Sequence, residues 1–112
     1  MLLQAASFGL PIYVTENGLA DKEDRLRGRY LVAHLREIAK LREEGEDIRG
    51  YFHWSLLDNF EWREGFGPRF GLFRMDYASF AREERPSAAL YRRVIEAHGR
   101  RGPDAGILAQ VL

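Results

Sequence analysis

The sequence contains no cysteine, which excludes a disulfide framework and any thiolate site. It has no net charge, because seventeen basic residues cancel seventeen acidic ones. That balance argues against nucleic acid and against an anionic membrane surface as partners. No apolar run approaches membrane-spanning length, and Met1-Leu-Leu-Gln lacks the charged flank and apolar core of a secretion signal. Internal repeats and low-complexity tracts are absent as well. These absences lead to the expectation of a soluble, cytoplasmic chain. What is present is globular in kind: 112 residues, 46% hydrophobic and 30% charged, enough for one domain with a modest core.

Residues 1–8 place apolar side chains at 2, 3, 5, 6 and 8 with no N-cap ahead of them and Gly9 behind, the pattern of the last turns of a helix. Residues 11–15, closed by Asn17-Gly18, predict a buried strand rich in β-branched and aromatic residues. In the loop that follows, Asp21, Glu23 and Asp24 favour a helix N-terminus through its dipole. Leu31, Leu35, Ile38 and Leu41 recur at helical spacing between Arg25 and Glu44, with Gly45 as terminator. His34 borders this stripe and reads as a packed or hydrogen-bonded histidine, since no second ligand type stands at metal-site spacing on its face. A second apolar strand is predicted over 48–57. Strand, helix, strand is a βαβ unit, so the two strands should run parallel with a right-handed crossover. Beyond a loop at 58–69, residues 70–77 predict a short extended segment and 82–85 a solvated charge run. Pro86-Ser87 opens a last helix with Leu90, Tyr91, Val94 and Ile95 as its apolar stripe and Gly99 at its end. The division expected is residues 1–99 as a βαβα unit and 100–112 as a tail.

Parallel βαβα units repeat in α/β barrels and doubly wound sheets. Two strands leave both sheet edges unpaired, so the unit reads as a slice of such an architecture. Barrel active sites are assembled at the C-terminal strand ends. Glu16 stands at one such end and Trp54 at the other. Taken alone, Glu16 is better read as a turn carboxylate, Trp54 equally well as a core aromatic, Glu61 as a surface charge paired to Arg63, and Phe70 as ordinary packing. Together they offer a carboxylate on a rigid strand tip, a flat aromatic surface and an ionised acceptor. These are the groups that a sugar, with one apolar face and a rim of hydroxyls, requires.

Three motifs occur in order: Thr15-Glu16-Asn17-Gly18, then residues 51–62 reading Tyr-Phe-His-Trp-Ser-Leu-Leu-Asp-Asn-Phe-Glu-Trp, then Arg69-Phe70-Gly71-Leu72. Their combination resembles the end of family 1 glycoside hydrolases, the β-glucosidase and β-galactosidase family, over roughly Leu2 to Gly99. The resemblance implies the C-terminal slice of a (β/α)8 TIM barrel, strands seven and eight with their helices, from a retaining β-glycosidase. It implies that Glu16 is the nucleophile, that Trp54 is the aromatic platform under the sugar, that Glu61 and Trp62 bind the glycone hydroxyls, and that Phe70 lines the far wall. His53 is assigned to barrel structure. No metal and no organic cofactor is implied.

One departure is large. A retaining glycosidase works with two carboxyl groups about 5 to 5.5 Å apart, and in this family the second lies in an Asn-Glu-Pro motif that is absent here. Partners implied are a β-glycoside substrate and the remaining barrel strands, supplied by another chain or a longer parent, or replaced by self-association. Two other functions compete with the split or partial enzyme: a non-catalytic sugar-binding module, and an inactive truncated fragment.

Overall fold

The computed structural model describes residues 1–101. Its first element, helix α1 (Leu2–Ala6), is one turn and a half that stops ahead of Gly9, whose φ of +66° suits a residue without Cβ. Strand β1 (Ile12–Asn17) and strand β2 (Ile48–His53) flank helix α2 (Arg27–Glu43). As the alternation of apolar runs and helical periodicity predicts, β1 and β2 pair in parallel, from Ile12 against Ile48 to Asn17 against His53. The ladder is irregular at two places, between Ile12 and Tyr13 and between Val14 and Asn17.

Alternate strand residues go to opposite faces. Ile12, Val14, Ile48 and Tyr51 pack with Leu2 against Ile38 and Leu41 of α2. Tyr13, Thr15 and Phe52 face the other way and are exposed. Among the described residues the sheet is thus covered on one face and open on the other.

Helix α2 starts where Asp21 Oδ2 accepts from the Leu26 and Arg27 backbone N–H groups at 2.7 and 3.0 Å, a direct bond in place of the dipole effect alone. It ends at Gly45, φ +100°, whose N–H bonds the Arg42 carbonyl while Glu46 N–H bonds that of Leu41. This is the paired-bond terminator that a glycine after a helix permits. His34 lies against the Tyr30 ring, centroids 4.0 Å apart, with Nδ1 2.8 Å from the Tyr30 carbonyl, which is the packed role its position predicts.

After β2 the chain makes a 3-10 turn (Trp62–Glu64) and then a short antiparallel hairpin, β3 (Phe73–Met75) with β4 (Arg82–Glu84). Helix α3 (Pro86–Arg101) closes the described chain and runs past Gly99, the terminator expected from sequence. Val94 is buried in it, whereas Ile95 is exposed, so the apolar stripe is narrower than predicted. Of the tail expected at 100–112, residues 102–112 lie outside the described residues.

The segment 82–85 departs most from expectation. Residues 82–84 are a strand, and Arg85 is buried with 6% of its surface exposed. The reason is Asp58, also buried, whose carboxylate meets Arg85 at two points, 3.0 and 3.1 Å. An Arg fork satisfies a carboxylate bidentately and so tolerates burial that a lone charge would not.

Candidate active site

Because β1 and β2 are parallel and in register at their ends, the residues that follow each strand emerge side by side. The Trp54 N–H bonds the Asn17 carbonyl at 2.9 Å. Gly18 passes so close to the Trp54 backbone that a Cβ there would sit 1.7 Å from the Trp54 carbonyl oxygen; no other residue fits. The motif Thr15-Glu16-Asn17-Gly18 is therefore joined to the Trp54 segment through backbone contact.

Glu16 occupies the next-to-last position of β1, exposed, with no hydrogen-bond partner among the described residues. Trp54 is half-buried, and its indole Nε1–H donates to Glu61 Oε1 at 3.1 Å. The indole is a donor only, and the carboxylate an acceptor, so this pair is charge-assisted and leaves the second Glu61 oxygen available. Glu61 is itself held by a tight turn in which its N–H bonds the Gly65 carbonyl at 2.7 Å.

Phe70 comes to the same place by backbone pairing. Ser55 N–H bonds the Phe70 carbonyl at 3.3 Å and Leu72 N–H bonds the Ser55 carbonyl at 2.9 Å. Gly71, between them, is packed against the Asp58 amide and the Leu57 and Phe73 carbonyl groups, where a Cβ would lie 2.2 to 2.6 Å from backbone. Trp62 is the residue that is not gathered in: it is 82% exposed, with φ +47°. Four of the five residues singled out from sequence thus share one end of the sheet, two of them in direct contact.

The residues that sequence reasoning missed are those that hold this arrangement. Asp58 binds Arg85, the Gly71 N–H at 2.9 Å, the Met75 N–H at 3.3 Å and Arg69 at 3.3 Å. Burial opposes its ionisation, but the Arg85 fork and the backbone N–H groups together outweigh this and hold its carboxyl below the usual range. Arg27, fully buried, bonds the Asp24 carboxylate and the Asp21 and Arg69 carbonyls. Asp24 reaches on to Ser87 at the start of α3, accepting from its N–H at 2.8 Å and its hydroxyl at 2.7 Å. The available signal was Asp58 inside a motif and Arg85 directly ahead of a helix-opening proline.

His53 packs against Tyr91, ring centroids 6.3 Å apart, with both ring nitrogens buried and without a hydrogen-bond partner among the described residues. Burial pushes its pKa down and favours the neutral ring. Among the described residues, no group of three or more His, Cys, Asp or Glu is placed to hold a metal ion, and no helix is long and apolar enough to cross a membrane.

The arrangement matches known proteins over nearly its whole length. The sequence model of glycosyl hydrolase family 1 matches residues 1–100. A β-galactosidase of Sulfolobus acidocaldarius is 49% identical over 92 residues, which are 82% of this chain and 19% of that protein. Among solved structures, a β-glycosidase from Pyrococcus horikoshii superposes with a TM-score of 0.82 at 44% identity, covering 90% of this chain and 26% of that one. A hyperthermophilic β-glucosidase from Pyrococcus furiosus does so with a TM-score of 0.83 at 41% identity, covering 98% and 22%. The chain spans about a fifth of the length of the curated relatives it matches. These structures are family 1 barrels, and the parallel β1–α2–β2 unit with its strand-end cluster is a portion of that architecture. With a match that runs from residue 1 to residue 100 and carries all three strand-end motifs, this chain belongs to glycosyl hydrolase family 1.

Proposed function

We propose that the chain contributes strands seven and eight of a family 1 barrel to a retaining β-glycosidase, with Glu16 as nucleophile. The observation that carries this reading is the parallel pairing of the β1 end, which carries Glu16, with the β2 end, which leads into the bonded Trp54–Glu61 pair. That is the end at which α/β barrels assemble their sites. Relatives described as β-galactosidases and β-glucosidases support a β-D-glycoside as substrate, and the family resemblance alone puts glucosides first.

In this mechanism a Glu16 carboxylate oxygen attacks the anomeric carbon, forming a C–O bond as the bond to the aglycone oxygen breaks. The departing oxygen keeps that electron pair and takes a proton from a carboxylic acid on the remaining strands. Water then gives up a proton to the same group, attacks the anomeric carbon and releases the Glu16 carboxylate with net retention. Trp54 lies under the apolar face of the sugar, Glu61 and Trp62 take its hydroxyls, and Phe70 closes the wall. The free oxygen of Glu61 accepts a sugar hydroxyl while its partner oxygen stays bonded to Trp54.

The test combines the chain with the strands it lacks. The assembly should hydrolyse an aryl β-glucoside, and Glu16→Gln should abolish this because an amide cannot act as the carboxylate nucleophile. An activated 2-fluoroglucoside should then leave a stoichiometric adduct on the peptide containing Glu16, with none on the chain alone. Undiminished hydrolysis by Glu16→Gln would overturn the assignment.

A further inference from the structure

The side chain next to Glu16 is held far more firmly than Glu16 itself. Asn17 Oδ1 accepts from the Tyr51 hydroxyl of β2 at 2.9 Å, and Asn17 Nδ2 donates to the Tyr30 hydroxyl of α2 at 3.1 Å. Its main-chain carbonyl accepts from Trp54 N–H at 2.9 Å. One amide therefore touches both strand ends and the crossover helix.

Both tyrosines are themselves fixed. Tyr30 stacks on His34 at 4.0 Å, and Tyr51 meets Tyr91 edge-on at 6.2 Å while the Tyr91 hydroxyl donates to the Tyr51 carbonyl at 3.5 Å. Burial pushes the Tyr51 phenol up, so it keeps its proton and remains a donor. Between the tyrosines, Asn17 accepts on one side and donates on the other. An amide does both, whereas a carboxylate only accepts.

The regular ladder does not do this work, because the β1–β2 register is irregular between Val14 and Asn17, the interval that contains Glu16. Glu16, exposed and without a partner among the described residues, takes its direction from its backbone. Holding Asn17 to α2 and β2 fixes the backbone from which the preceding side chain projects.

We propose that Asn17, clamped between Tyr30 and Tyr51, is a positioning residue that aims the Glu16 carboxylate; this rests on Glu16 being the nucleophile. The clamp acts on the bond-forming step and leaves sugar binding to Trp54, Glu61, Trp62 and Phe70.

The experiment uses the assembled barrel and follows adduct formation with an activated 2-fluoroglucoside, separating its binding constant from its first-order glycosylation rate. Tyr51→Phe and Tyr30→Phe each delete one hydroxyl of the clamp. Each should slow glycosylation by about tenfold to a hundredfold with the binding constant unchanged, and Asn17→Ala should slow it at least as much. Tyr77→Phe deletes a half-buried hydroxyl that donates to the Asn59 carbonyl at 3.3 Å and touches no member of the clamp, and should react at the parent rate. If Asn17→Ala fails to assemble, the two tyrosine variants decide. Rates for both equal to that of Tyr77→Phe, or a loss confined to binding, would overturn the clamp while Glu16→Gln still forms no adduct. An adduct on Glu16→Gln would instead remove the nucleophile assignment, and the clamp with it.

Discussion

At the scale of single residues, the tightest constraint is the contact between Gly18 and the Trp54 carbonyl. The obstacle is backbone on both sides, so no rotamer relieves it, and Gly18→Ala must part the two strand ends. The expected loss is about 1 to 3 kcal/mol or more, read as a lowered thermal midpoint together with a shifted Trp54 emission. Glu61 presents the opposite case, a side chain whose removal leaves the fold standing. Glu61→Ala should cut turnover of the assembled enzyme by orders of magnitude, since glycone contacts that strengthen in the transition state supply several kcal/mol. Its far-UV circular dichroism should match the parent. The identity of these residues was legible in the order of three motifs. The Trp54–Glu61 hydrogen bond was not, because it depends on how the intervening six residues fold back, which local pattern does not encode.

Among the elements, those with clear periodicity were legible: β1, α2, β2 and α3 all stand where the apolar spacing puts them, within a few residues. Strand β4 was not, because Arg82, Glu83 and Glu84 are all exposed and carry no alternation to recognise. Arg85 was misjudged for a related reason: its burial is made possible by Asp58, 27 positions earlier, and no local rule connects them. That pair ties the β2–β3 connection to the start of α3, and it sets a pH dependence. The folded-state pKa of Asp58 lies below its unfolded value of about 4. Its contribution is therefore fully present above that pH and is lost as pH falls toward the folded value. His53 acts earlier. Its folded pKa lies below an unfolded value of about 6.5, so protons bind the unfolded chain preferentially and stability begins to decline as pH falls through that value. Thermal midpoints of the assembled protein between pH 8 and pH 3 should show two declines, near those two unfolded values of about 6.5 and 4. Asp58→Asn, which leaves Arg85 without its counter-charge, should cost about 3 to 5 kcal/mol at neutral pH and make the lower decline shallower, the remainder coming from Asp21, Asp47 and Asp76, whose carboxyls are also held below their ordinary value. A flat profile below about pH 4 in the parent would contradict the role given to Asp58.

For the molecule as a whole, the decisive feature is the sheet's open face. Tyr13 and Phe52 are 55% and 58% exposed there, and among the described residues each strand has an unpaired outer edge. Such surface is normally covered by neighbouring strands. The chain by itself should therefore self-associate or lose order, and light scattering with thermal melting checks this; a compact monomer with a cooperative transition would argue against the barrel-slice proposal. That incompleteness was legible as soon as two parallel strands were counted, whereas the covering of only one face needed the packing of α2 to be seen. The β3–β4 turn has a practical consequence. Ser79 is exposed at its tip, with the turn closed beneath it by the Asp76 N–H bond to Ala81 at 3.0 Å. Since the sequence has no cysteine, Ser79→Cys would create the sole thiol, a single attachment point for a fluorophore on the hairpin rather than on the sheet. A dye there would give a direct optical record of the chain meeting its missing strands, independent of any sugar chemistry.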